Sequence, residues 1–277
     1  MINPLKLTFW LAISLISGLV IAKESSAKEG SEDKTQVIKS KTLTGTAADG
    51  VTFYGEYYHG NLDKSSPLIL LFHQGGSNGR SEFEPLIPWL NGLGYRAIAW
   101  DQRTGGNIYG GENRTIAGHP ETPEILLPEN REARYCGAYA DFEGALKLVV
   151  DKGLSKKPIV WGGSYAGALA FQLSAEHADS VKGLLAFSPS SGQWMARCRT
   201  RNWVDKIDMP AIVFRPESEA NRPNAIEQRQ ILEDAGIEFR VVKNGVHASS
   251  SLIDARTEHD MSKTRAVVEQ WLKQLTQ

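Results

Sequence analysis

Leu-Ile-Leu-Leu-Phe at residues 68–72 leaves no polar face for water. A strand of this kind must be covered on both sides, and helices are the usual cover for a parallel sheet. Similar strand-forming runs recur at 96–100, 158–161, 181–187, 211–214 and 239–242. Helical stretches at 81–93, 137–152, 168–175, 224–235 and 264–274 alternate with them. Such alternation implies right-handed crossovers and a largely parallel sheet with helices on both faces. Upstream, residues 42–58 hold two β-prone stretches around Asp49-Gly50, a hairpin signal expected to form antiparallel edge strands. Residues 40–277 fit a single α/β domain, with no internal repeat. The chain has 277 residues, 23% of them charged, with a formal net charge of -1. With no basic block interleaved with aromatics, it offers nothing for nucleic acid to bind, and a small molecule is the expected partner.

The N-terminus has a different character. Lys6 precedes an uncharged apolar run at residues 7–22, followed by the polar stretch KESSAKEGSEDK. This is a secretory signal pattern, with small residues that suit cleavage after Ala22 or after Ala27. Residues 1–22 are therefore expected to be a signal peptide and 23–39 a charged linker, placing the mature chain in the periplasm or outside the cell. The alternative is a retained anchor, the one route by which the chain would meet a membrane; the run is short for a spanning helix. Cys136 and Cys198 are the two cysteines. In an exported chain they can form a disulfide, or remain as two buried thiols, and their spacing is not that of a metal site.

The chemistry concentrates at Gly162-Gly163-Ser164-Tyr165-Ala166-Gly167, directly after the 158–161 strand and before a helix. A serine on a sharp strand-to-helix turn exposes its hydroxyl, and the turn demands small residues around it. Gly162, Ala166 and Gly167 meet that demand, with Ala166 standing where G-x-S-x-G has its second glycine. The competing reading is an ordinary Gly-Gly-Ser turn. A serine hydroxyl requires a base, and the base an orienting acid. In a sheet of this type the functional loops follow the C-terminal ends of the strands. His247, after the 239–242 strand, is the expected base, with His259 as alternative. The acid should follow the 211–214 strand, where Glu219 is chosen over Glu217. For the developing oxyanion, the expected donors are the backbone N–H groups of Tyr165 and Gln74, with Gly75 as the alternative to Gln74. His73 is assigned a structural role within the same His73-Gln74-Gly75-Gly76 loop.

The order Ser164, Glu219, His247 resembles that of the α/β-hydrolase superfamily. Within it, the stretch LILLFHQGGSNGRSEFEPLIPWLNGLGYRAIAWDQRTGG is similar to the first half of dienelactone-hydrolase-like bacterial esterases. The resemblance implies an α/β-hydrolase fold with a mostly parallel eight-stranded sheet, no large cap domain, no cofactor or metal, and hydrolysis of a small ester. Dienelactone hydrolases proper use a cysteine nucleophile, so Ser164 points to their serine-esterase relatives. The family acid is usually aspartate, and Glu219 departs from that. Asp101-Gln102-Arg103 together with Gly-Gly-Ser-Tyr also resembles proline iminopeptidases, which carry a large helical cap before the 211–214 strand. Only 22 residues, SPSSGQWMARCRTRNWVDKIDM, fill that place here. The further alternative is a non-catalytic binding protein on a hydrolase scaffold.

Within that short segment, Trp194, Met195 and Trp203 are expected to wall the site. Arg197, Arg199 and Arg201 have two readings: a site for a substrate carboxylate, or a solvated basic loop. A Cys136–Cys198 bridge would tie this segment to the end of the long excursion at 101–135, across the expected site.

Overall fold

In the computed structural model, residues 39–119 and 131–276 are described. The expected signal peptide and nearly all of the linker lie outside them, as do residues 120–130 of the excursion. Among the described residues no helix is long and apolar enough to cross a membrane.

The first two strands, β1 (Ser40–Thr46) and β2 (Thr52–Tyr58), form the antiparallel hairpin around Asp49-Gly50. The rest of the sheet comprises β3 (Leu68–Phe72), β4 (Arg96–Asp101), β5 (Ile159–Gly163), β6 (Gly183–Phe187), β7 (Ala211–Pro216) and β8 (Glu238–Val242). The eight strands lie in the order β1-β2-β4-β3-β5-β6-β7-β8, and every pairing from β4 to β8 is parallel. The expected eight-stranded, mostly parallel sheet is present.

The helices in chain order are α1 (Gly79–Phe83), α2 (Ile87–Gly92), α3 (Arg114–Gly118), α4 (Arg131–Gly137), α5 (Tyr139–Asp151) and α6 (Tyr165–Glu176). They continue with α7 (Glu217–Ala220), α8 (Pro223–Asp234), α9 (Asp254–Thr257) and α10 (Ser262–Thr276). Strand residues alternate between two cores. Leu68, Leu70 and Phe72 of β3 join Phe142 of α5, Leu169 of α6 and Leu232 of α8 on one face. Ile69 and Leu71 join Phe83, Ile87 and Leu90 of α1 and α2, and Val268, Trp271 and Leu272 of α10, on the other. Within this second core, Trp161, Phe187 and Phe214 from neighbouring strands stack at 5.3 and 4.8 Å between ring centroids.

Two helical expectations are corrected. The stretch 81–93 is broken into α1, a 3-10 turn at Glu84–Leu86 and α2. Pro85 and Pro88 lack the N–H and crowd the preceding carbonyl, so each opens a new short turn instead of extending the old one. The stretch 137–152 forms α5, which starts at Tyr139, and Gly137 instead ends the separate helix α4. The expected strand at 211–214 is longer, with β7 running to Pro216, and Glu217–Ala220 after it is a helical turn.

The loop after β4 is anchored by charge. Arg103 donates to Asp141 of α5 at 3.0 and 2.7 Å and to Asp49 of the hairpin turn, while Asp101 accepts from Arg114 at 2.8 Å and from Gly79 N–H at 2.9 Å. Cys136 and Cys198 are disulfide-bonded, with Cα atoms 5.7 Å apart, joining α4 to the segment between β6 and β7. The bridge closes a loop across 62 residues of sequence. Chain-entropy arguments assign such a closure roughly 4 kcal/mol. Replacing both cysteines by serine should lower unfolding stability by that amount in urea titrations; an unchanged midpoint would show that the closure contributes nothing.

Candidate active site

Ser164 follows the last residue of β5 and precedes the first of α6, with φ 59° and ψ -122°. A non-glycine residue in the left-handed half of backbone space is strained by about 1–3 kcal/mol and persists only where its surroundings enforce it. They do so here. The Ser164 N–H donates to Phe187 O at 2.9 Å, and the Ser164 carbonyl accepts from Ser190 N–H at 3.0 Å. A Cβ on Gly162 would lie 2.3 Å from the carbonyl oxygen of Ala166, so no side chain fits there. A Cβ on Gly167 would meet the Pro189 backbone at 3.1 Å. The departure at Ala166 is accommodated, because its methyl, in the first turn of α6, is buried in the core on that face of the sheet.

His247 and Glu219 are brought together at the same rim. Glu219 Oε1 accepts from His247 Nδ1 at 2.6 Å, and Nε2 has no hydrogen-bond partner among the described residues. Ala248, next to His247, lies against the elbow: a Cβ on Gly163 would be 3.1 Å from the Ala248 Cβ. Among the described residues no hydrogen bond links Ser164 Oγ to His247; such bonds commonly tighten only when substrate is bound. Glu219 is buried and its second oxygen receives Arg215 Nη1 at 3.3 Å. Burial raises its pKa, but the hydrogen bond and charge of His247 and the charge of Arg215 outweigh this and hold the carboxyl below its ordinary value. Glu217 is exposed, and His259 lies in the exposed stretch after α9. His177 caps the far end of α6.

In the donor loop the two candidate amides have different surroundings. The Gln74 N–H is turned inward and donates to Glu82 Oε2 at 2.9 Å. The Gly75 N–H has no acceptor among the described residues, and Tyr165 N–H opens α6 at the position whose amide has no partner within its own helix. Of the two candidates in this loop, the Gly75 N–H is thus the one without a partner among the described residues. His73 is wholly buried. Its Nδ1 bonds Gln74 O at 2.8 Å and its Nε2 accepts from Gln102 N–H at 3.2 Å, while burial pushes its pKa down to about 4.

Sequence reasoning missed the aromatic wall. Tyr135, the residue before the bridged Cys136, packs on Tyr165 and Trp194, each at 4.9 Å between centroids. Its hydroxyl would lie 3.3 Å from a Cβ on Gly75. Tyr109 closes the other side: its hydroxyl accepts from Gln74 Nε2 at 2.6 Å and lies 2.8 Å from Ser250 Oγ. Of the expected wall, Trp194 is partly exposed and takes part, whereas Met195 is buried and Trp203 packs against the core on the α5–α6 face. Arg197 pairs with Glu132 at 2.9 Å and Arg201 with Glu227 at 2.6 Å, so these two are engaged within the protein. The Glu143, Glu176 and His177 cluster, with ligand atoms within 4.8 Å, lies at the opposite end of α6 from Ser164 and has no part in this site.

The comparisons with known proteins agree with this architecture. Residues 67–199 match the family profile described as alpha/beta hydrolase fold. A search of curated proteins finds no match. Among solved structures, an esterase from Pyrococcus furiosus superposes with a TM-score of 0.60 at 17% identity, covering 86% of this chain and 91% of that one. A dienelactone hydrolase from Anabaena variabilis gives 0.61 at 14% identity, over 85% of this chain and 97% of that one. An acylaminoacyl peptidase from Pyrococcus horikoshii gives 0.58 at 12%, over 83% of this chain and 41% of that one. The chain is an α/β-hydrolase-fold protein. The neighbours include the dienelactone-hydrolase and esterase branch that the sequence resembles.

Glu82 is the site's unusual charge. It is fully buried, its Oε1 has no hydrogen-bond partner, and burial pushes its pKa from 4.5 up to about 7. The folded chain thus keeps a proton that the unfolded chain releases between these values, so stability falls as pH rises through that window, by about 3 kcal/mol in total. Glu82→Gln removes this dependence. Urea unfolding at pH 5 and pH 8 should show the variant gaining on the wild type by about that amount; parallel pH profiles would refute the assignment.

Proposed function

We propose that the chain is an exported serine hydrolase that cleaves a small ester through an acyl-enzyme on Ser164. The observation that carries this reading is the 2.6 Å contact between His247 and buried Glu219 at the rim where Ser164 is held in a left-handed turn. Ser164 Oγ attacks the ester carbonyl carbon while His247 Nε2 takes its proton. The tetrahedral oxyanion is received by the N–H groups of Tyr165 and Gly75. The imidazolium, stabilised by ionised Glu219, gives its proton to the leaving alcohol. Water then repeats the sequence and releases the acid. No metal or cofactor enters these steps.

The esterase and dienelactone hydrolase among the structural neighbours support an ester as substrate. An iminopeptidase-like reading is less favoured. Between β6 and β7 the chain forms only the 3-10 turns Gln193–Met195, Thr200–Asn202 and Val204–Lys206, with no helical cap. The apolar run at residues 7–22 and the disulfide support export.

Hydrolysis of p-nitrophenyl acetate and butyrate, with fluorophosphonate labelling, tests the reading. Ser164→Ala should abolish labelling and reduce kcat by at least about 10³-fold, and Glu219→Gln by about 10²- to 10⁴-fold. Labelling without ester turnover would shift the substrate to an amide. Absence of both would leave the binding-protein reading.

A further inference from the structure

Resting on the hydrolase reading, a second buried carboxyl near the elbow remains without a task. Glu82 sits on α1 with one oxygen on the Gln74 N–H at 2.9 Å. Its other oxygen faces the elbow, 3.3 Å from where a Cβ on Gly163 would be. A carboxyl buried with one oxygen unpartnered is expensive to keep unless it does something there. Its position is also secured from outside. Asn78 Oδ1 caps α1 by accepting the Ser81 N–H at 3.0 Å. Arg256 donates to the Glu82 carbonyl at 3.1 Å and to the Ser81 carbonyl at 2.6 Å. The hydrogen bond to Gln74 therefore anchors a glycine-rich loop to a fixed point.

We propose that Glu82 is a positioning residue for the oxyanion hole: by taking the Gln74 N–H, it turns that amide inward and leaves the next one, Gly75 N–H, facing the substrate. Two consecutive glycines follow Gln74, so the loop has little intrinsic preference for either orientation. Without the acceptor, Gln74 and Gly75 amides would compete for the inward position. The effect would fall on the transition state, where the oxyanion is charged, and hardly on substrate binding.

The test uses the full mature chain with Glu82→Met, which removes the acceptor at similar volume, and Glu82→Gln, which keeps a carbonyl acceptor. For p-nitrophenyl acetate, Glu82→Met should lose about 10²-fold in kcat with KM within about twofold, and Glu82→Gln should recover kcat to within about threefold of wild type. In nuclear magnetic resonance spectra, the Gln74 amide proton should move upfield in the methionine variant and stay near its wild-type position in the glutamine variant. A folded methionine variant with wild-type kcat, a glutamine variant as impaired as the methionine one, or an unmoved Gln74 resonance would each overturn the proposal. If the methionine variant does not fold, Glu82→Asp draws the acceptor back by one methylene. A loss of about tenfold in kcat supports the proposal and full activity overturns it. Should wild type neither turn over esters nor take the fluorophosphonate, the hydrolase reading fails alone, and the Gln74 resonance still decides whether the clamp exists.

Discussion

The left-handed backbone at Ser164 is the constraint on which the rest of the site depends. A φ of 59° at a serine is disfavoured, so the fold must supply the free energy that holds it. It does so in the fully buried middle of the sheet, at β5 and β6, where Trp161 and Phe187 stack on each other. The turn places the start of α6 at the rim, so that its first amide and the serine hydroxyl occupy one place. The glycines at 162 and 167 are read directly from this demand, because each has backbone where a Cβ would go.

Two buried carboxyls flank the turn in opposite electrostatic settings. Glu219 has a guanidinium on one oxygen and an imidazole on the other, and is held ionised below its ordinary pKa. Glu82 has a backbone amide on one oxygen and no hydrogen-bond partner for the other among the described residues, and burial, opposed by Ser77 and the charge of Arg256, carries it up to about 7. Environment and not residue type divides their work, with one suited to stabilising a cation and the other to orienting an amide. Arg215 completes the first of these: it is buried, and it also binds the carbonyl of Pro189 at 2.6 Å, linking the acid to the loop that closes over the elbow.

The rim is built from segments distant in sequence and tied together covalently. The disulfide brings α4 to the segment after β6, and Tyr135, next to Cys136, packs on Tyr165 and on Trp194 and borders the donor loop at Gly75. Between β6 and β7 the chain forms only 3-10 turns, and Tyr109, bonded to Gln74 and Ser250, ties the donor loop to the segment after β8.

Alternation of apolar runs made the sheet legible in the sequence, since a strand such as Leu68–Phe72 has only one way to hide both faces. The elbow was legible for a local reason: its backbone requires small residues at set positions. His247 and Glu219 were found because rim loops follow strands, though that reasoning could not show that Glu219 would be buried and Glu217 exposed; the helical turn after β7 decided it. The broken helix at 81–93 was within reach of the sequence through Pro85 and Pro88. Glu82, however, reads as an ordinary surface carboxylate on a helical stretch, and Tyr135 as one aromatic in a polar excursion. Their placement comes from how α1 and α4 dock against loops far along the chain. The layers of the fold and the sharp turn at Ser164 could be read from the amino acids alone, because they follow from hydrophobic period and local backbone sterics. Which amide of the His73-Gln74-Gly75 loop is engaged could not be read there, because it depends on a hydrogen bond from Gln74 N–H to Glu82, a side chain brought in by folding.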